Sequence, residues 1–330
     1  MVSSMFKRIA YIATVLTLCV VVLGAYVRLS DAGLGCPDWP GCYGTLTVPQ
    51  SSEALDAAHA IYPDSPVEQA KAWKEMIHRY LAGILGLFVF ALFIQAWRER
   101  ASLNVNPWLP TALVGVVGFQ AVLGMWTVTM LLKPAIVTMH LMGGMTTLAM
   151  LMWIAHRHWG VSSANFLLSS ATRFFVRFAI VILVLQIFLG GWTSTNYAAL
   201  ACTDFPTCHG AWVPEMDFAN AFHWFRELGE NKEGKPLALS AYVAIQWIHR
   251  VGALVTFVYL GLLGLTLIKQ LQLRALAIGM LMLLIVQIGL GVANLVLLLP
   301  TVLAVAHNMV AAMLLMVVVV LNSKITELRH

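Results

Sequence analysis

The chain has 330 residues, of which 60% are hydrophobic and 11% charged, with a mean hydropathy of +0.82. A soluble domain carries about 25% charged residues, so a soluble fold of this size is excluded for want of polar surface. The formal charge of +5 follows from how cations are shared between two faces of a membrane, and nucleic-acid binding is not indicated.

Crossing about 30 Å of hydrocarbon takes roughly 20 apolar residues. Eight such runs occur, at about 9–29, 76–97, 111–132, 135–155, 174–195, 242–268, 275–298 and 301–321. Strand alternation is absent between them, and the backbone of a spanning segment must satisfy its own polar groups, so helices are predicted. Lys7 and Arg8 precede the first run as in a signal peptide. The run is too long for one and no small-residue cleavage site follows, which makes it a retained helix. Cys19 within it is expected to be a small core residue.

A long loop, 30–75, follows and holds Cys36 and Cys42. Glu75, His78 and Arg79 stand at the head of the second run, Gln120 and Gly124 in the third, and His140 in the fourth beyond a tight hairpin at Lys133-Pro134. After the basic segment His156 to Arg173 the same order returns. Cys36, Cys42 and Gly44 match Cys202, Cys208 and Gly210 at an offset of 166; His78-Arg79 matches His249-Arg250 at 171; Gln120, Gly124 and His140 match Gln287, Gly291 and His307 at 167. Special residues recurring in order mark an internal duplication. The expected fold is therefore an all-α integral membrane protein of eight transmembrane helices, arranged as two tandem four-helix bundles related by a pseudo-two-fold axis along the membrane normal. The halves are 1–156 and 174–330, with 157–173 a linker.

Eleven cations (Lys7, Arg8, Arg98, Arg100, Arg157, Arg173, Arg177, Lys269, Arg274, Lys324 and Arg329) fall on the side of the termini, against only Glu99 and Glu327. Both termini are expected in the cytoplasm, and the long loops and cysteine pairs outside.

His78, His140, His249 and His307 are the histidines within the runs. Each is expected in the first two turns of its helix, so two imidazoles per half meet at similar depth in the outer leaflet. Facing histidines in a four-helix bundle suit a haem. A lone intramembrane histidine is as readily a hydrogen-bonding residue, but two repeated pairs favour ligation. Zinc wants more ligands than the helices offer. Arg79 and Arg250 either snorkel to the interface or meet haem propionates. Glu75 shares a helical face with His78, and its counterpart is Gln246. That asymmetry points to chemistry in the first half and a fixed cofactor in the second, beside the plainer reading of a solvated residue at a helix start. The cysteines are either structural disulfides, the default in an oxidising compartment, or thiols that deliver electrons. The Gln-xxx-Gly elements read as helix packing.

These residues resemble the haem A synthase family. The likeness runs through Arg28, Ser30, Gly33 and Leu34 into CPDWPGC, Glu75-xx-His78-Arg79, Gln120-xx-LG and His140, then GGWTSTNYAALACTDFPTC, His249-Arg250, Gln287-xx-LG and His307. It thins over 45–74 and 211–240, where no role is assigned. The resemblance implies oxidation of a haem O ring methyl to a formyl group through hydroxylation, giving haem A for cytochrome oxidase. It places haem O between His78 and His140 with Glu75 as an essential acid, a resident haem b on His249 and His307, and disulfides at Cys36/Cys42 and Cys202/Cys208. Expected partners are a haem O synthase, the terminal oxidase, an unidentified electron partner and the lipid bilayer, with homo-oligomerisation open. A di-haem electron carrier and a duplicated transporter are the competing readings.

Overall fold

The computed structural model describes residues 4–103, 106–158 and 168–327. Positions 159–167 of the expected linker, and Arg329 among the counted cations, lie outside the described residues. The elements in chain order are α1 (Ser4–Leu29), α2 (Ser52–Ile61), α3 (Gln69–Arg98), α4 (Arg100–Leu103), α5 (Trp108–Thr129), α6 (Pro134–His158), α7 (Ser170–Thr195), α8 (Phe218–Ala221), α9 (Leu239–Leu267), α10 (Arg274–Val296) and α11 (Thr301–Glu327). Among the described residues there is no named strand, only isolated bridges. Eight helices are long and apolar enough to span a membrane: α1, α3, α5, α6, α7, α9, α10 and α11. They turn large side chains such as Leu87, Phe90, Leu254, Leu262, Met282 and Ile285 outward, as a chain solvated by lipid does.

The chain forms two compact units, Met1–Thr147 and Leu148–His330, divided within α6. In the first, α3 packs on α1 and α5, and the start of α6 meets α5 at Gln120 and α1 at Val21. In the second, α7 packs on α9, α9 on α10, α10 on α11 and α11 back on α7, a closed four-helix ring.

Several helix ends differ from the expected ones, each for a local reason. α5 stops at Thr129 because Leu131 and Leu132 both take left-handed backbone in the hairpin before Pro134; Leu298 and Leu299 do the same before Pro300. α3 and α9 start earlier than their apolar runs. Ala72 and Met76 pack against the loop carrying Cys36 and Cys42, and Val243 against the one carrying Cys202 and Cys208. Helix therefore begins where those turns find packing partners, ahead of the hydrocarbon. In consequence His140 and His307 do lie in the second turn of their helices, whereas His78 and His249 lie in the third. Cys19, expected in the core, is exposed: it falls on the outward side of α1, which buries Ala10, Ala13, Val20 and Val27 instead.

The long loops also carry structure. Ser51 caps α2 by accepting from the Ala54 N–H at 3.2 Å. Tyr43 packs edge-on against Tyr62 and donates its hydroxyl to the Pro66 carbonyl. In the second unit Trp192 of α7 stacks on Phe188 and Trp224, and its indole N–H donates to the Ala221 carbonyl at 2.9 Å.

Candidate functional site

Each of the four membrane histidines is seated against a glycine of a neighbouring helix. A Cβ on Gly24 would stand 2.9 Å from Cε1 of His78; the same atom of His140 lies 3.4 Å from a Cβ on Gly124, that of His249 3.1 Å from Gly190, and that of His307 3.2 Å from Gly291. The absence of a side chain brings the helix backbone against the ring. The Nδ1 atoms of His78, His140 and His307 are buried with no hydrogen-bond partner. His140 lies within electrostatic reach of His78, and His249 of His307, so each unit holds one pair.

Glutamines taken from the sequence as packing elements also touch the histidines. The Gln120 amide donates to the His140 carbonyl at 2.8 Å, that of Gln186 to Nδ1 and the carbonyl of His249 at 3.1 and 3.2 Å, and that of Gln287 to Nε2 of His307 at 3.2 Å. Gln186 has no counterpart: at the offset of 166 stands Val20. His249 is thus held by a side chain that His78 lacks.

Above each pair sits a disulfide loop. Cys36–Cys42 and Cys202–Cys208 are bonded, each with Cα atoms 4.9 Å apart. Both loops contain a cis proline, Pro40 or Pro206, and turn through left-handed residues at Tyr43-Gly44 or His209-Gly210. An aspartate gathers the turn. Asp38 accepts from the N–H groups of Tyr43 and Gly44 at 2.6 and 2.8 Å, and Asp204 from those of His209 and Gly210 at 2.6 and 2.9 Å. Asp204 also accepts from the Thr207 hydroxyl at 2.6 Å. That bond first, then those from the backbone, hold its carboxyl well below the usual carboxylate range. Neither aspartate was singled out from the sequence, although they repeat at the offset shared by the cysteines.

Arg79 and Arg250 engage these same loops. Arg79 donates to the carbonyls of Asp38 at 3.0 Å, Pro40 at 3.3 Å and Gly41. Arg250 donates to the carbonyls of Asp204, Thr207 and Cys202 at 2.8–2.9 Å. Partners of this kind had not been anticipated: the arginines clasp the loops to α3 and α9.

Glu75 and Gln246 are buried to the same degree, 5% exposed, and take the same place. Oε2 of Glu75 accepts from the Cys36 N–H at 3.1 Å, and Oε1 of Gln246 accepts from the Cys202 N–H. The remaining contacts diverge. Oε1 of Glu75 pairs with Arg79 at 2.5 Å, while the Gln246 amide donates to the Ala199 carbonyl at 2.5 Å. Holding the loop therefore needs only an acceptor oxygen, and an amide serves. The negative charge in the first unit is surplus to that task.

Two half-buried imidazoles on facing helices, each with one nitrogen held by a glutamine or left without a protein partner and with bare backbone beside the ring, fit the axial ligation of a haem iron.

Residues 7–319 match the model of a family described as cytochrome oxidase assembly protein. A curated relative from Shewanella oneidensis, named Heme A synthase, is 43% identical over 94% of this chain and 94% of its own length. Relatives of the same name from Methylobacterium radiotolerans (28% identical over 91% of this chain and 84% of their own) and Shouchella clausii (27% over 64% and 66%) are more distant.

Proposed function

The chain belongs to the cytochrome oxidase assembly protein family, and on that premise we propose that it is a haem A synthase. It oxidises a ring methyl of haem O, through a hydroxylated product, to the formyl group of haem A. In this reading His78 and His140 of the first unit hold haem O as substrate, and His249 and His307 of the second hold a resident haem b, which supplies a redox centre to take up electrons. The Gln186 contact to His249 suits a group that stays. His78 has no such side-chain contact, which suits a group that comes and goes. The two halves act as tandem four-helix bundles, with 157–173 between them.

The observation that carries the division of labour is the pairing of Glu75 with Gln246. Both hold a disulfide loop through the same backbone N–H, yet only Glu75 brings a charge. A carboxylate beside the substrate stabilises positive charge as electrons leave the methyl carbon, or takes the proton released when water adds to it. An amide does neither. Arg79 sets the position of that carboxylate, since it bridges Glu75 and the loop carbonyls. The disulfides keep the loops in place; electron delivery by the thiols is not required for this scheme.

The predominance of Lys and Arg on the side of the termini supports a topology with both termini in the cytoplasm and the loops outside, in a bacterial cytoplasmic membrane or its equivalent. A haem O synthase then supplies the substrate, and a terminal oxidase consumes the product.

The test is Glu75→Gln in the full-length protein, followed by extraction and chromatographic separation of its haems. The expected result is a haem content close to wild type and a fall in haem A formation of at least about 100-fold, in the range seen when a positioned acid–base group is lost. Loss of bound haem in this variant would make Glu75 a structural residue. Haem b as the sole pigment of the wild-type protein, even with haem O supplied, would favour the electron carrier.

A further inference from the structure

His249 meets α7 at two residues one turn apart. Gly190 lies beside the ring, where a Cβ would stand 3.1 Å from Cε1. Gln186, four residues earlier and so on the same face of the helix, sets its amide nitrogen 3.1 Å from Nδ1 and 3.2 Å from the carbonyl of the same histidine. An amide holds both a donor and an acceptor, so this side chain can bond Nδ1 with or without its proton.

The amide needs a gap in α9. A Cβ on Gly252, three residues after His249, would collide with Oε1 of Gln186. Glycine weakens a helix interior relative to alanine, and here it makes room for the amide. In the first unit both partners change. The offset of 166 that relates Gly24 to Gly190 sets Val20 against Gln186, and the offset of 171 that relates His78 to His249 sets Leu81 against Gly252. The polar side chain and the gap that takes it are exchanged together for two aliphatic residues. His140 has a similar gap at Gly143, filled by Gln120, but that amide donates to the carbonyl of His140 and not to its ring. Both rings of the second unit carry an amide, whereas Nδ1 of each first-unit histidine is without a partner.

We propose that Gln186, seated in the Gly252 gap, is a positioning residue for the second unit. It fixes the rotation of the His249 ring, and so sets how firmly haem b is retained and how readily its iron is reduced. This rests on the haem b reading above and deepens it. An imidazole held through one nitrogen keeps a single orientation for the other, Nε2, which is left for iron. It is also the more basic ligand when the held nitrogen donates its proton, and a more basic ligand favours ferric iron.

The experiment uses full-length protein purified with its haem b. Gln186→Met keeps the length of the side chain and removes its hydrogen bonds; Gln186→Glu keeps an acceptor oxygen; Gly252→Ala leaves Gln186 in the chain but denies it the gap. Transfer of haem b to excess apoglobin gives the dissociation rate, and a redox titration of the visible spectrum gives the midpoint potential. The expected result is dissociation about 10- to 100-fold faster in Q186M, the range seen when the hydrogen-bond partner of a metal-bound histidine is lost, with a more positive potential. G252A should follow Q186M in both measurements, and Q186E should restore slow dissociation and a more negative potential. Unchanged rate and potential in Q186M would overturn the proposal. Faster loss at an unchanged potential would overturn it too, by showing that Gln186 acts through packing alone. Pigment kept in full by His249→Ala would remove the haem b reading itself, and the proposal with it.

Discussion

At the scale of single residues, the site depends as much on what is missing as on what is present. Gly24, Gly124, Gly190 and Gly291 each lie beside an imidazole; a methyl on Gly24 must displace the ring or the helix, one on Gly190 or Gly291 presses the ring by a few tenths of an ångström, and one on Gly124 makes ordinary contact. Forcing a methylene into packed surroundings typically costs about 1–3 kcal/mol. Gly83, by contrast, has nothing within 4 Å of a would-be Cβ, and an exposed helical Gly→Ala change is favourable by up to about 1 kcal/mol. Gly24→Ala should therefore lower the thermal midpoint and weaken haem O uptake, while Gly83→Ala leaves uptake unchanged and holds or raises the midpoint. Equal behaviour of the two variants in differential scanning fluorimetry and Soret titration would refute the seating role. The histidines themselves were legible from the sequence, because a polar residue inside an apolar run stands out. The glycines beside them were not, since a glycine in a membrane helix has many uses and only the neighbour across the gap distinguishes them.

At the scale of elements, the disulfide loop is the unit that repeats most faithfully, and its integrity turns on Asp38 and Asp204 more than its composition suggests. Asp204 has its carboxyl held low by the Thr207 hydroxyl and the backbone N–H groups of Gly210 and His209. A carboxyl depressed in the folded protein adds stability above its unfolded pKa of about 3.9, and that contribution is lost as the pH falls through the folded value. The turn should accordingly persist at pH 4–5 and open only below the ordinary carboxylate range. Amide hydrogen exchange at His209 and Gly210, expressed as protection factors, checks this: native protein should keep protection down to about pH 4, and Asp204→Ala should lose it at neutral pH. Loss of protection near pH 5 in the native protein would show that other groups hold the turn. The loops 45–74 and 211–240, opaque in the sequence, acquire structure from partners distant along the chain. Tyr62 finds Tyr43, and Trp224 finds Trp192; neither pairing leaves a local periodic signal.

At the scale of the whole molecule, two units with the same local chemistry differ at a few positions: Glu75 against Gln246, Arg28 against Ser194, Val20 against Gln186. Under the proposed division, His249→Ala or His307→Ala should remove most of the resident pigment from purified protein, whereas His78→Ala should spare it and abolish haem O binding. Equal pigment loss in all three variants would mean that the halves do not divide the two haems. Composition and hydrophobic run length by themselves determined that this is an eight-helix membrane protein, since hydrocarbon thickness sets a length that any sequence must meet. The repeat offsets by themselves identified the paired histidines, because matching special residues in order needs no coordinates. Only the tertiary structure decided what Arg79, Arg250 and Glu75 hold, where α3 and α9 begin, and which glycines face a ring. Each of these depends on a partner tens of residues away, and the direction in which a side chain leans toward such a partner is fixed by packing and is not encoded in any local pattern.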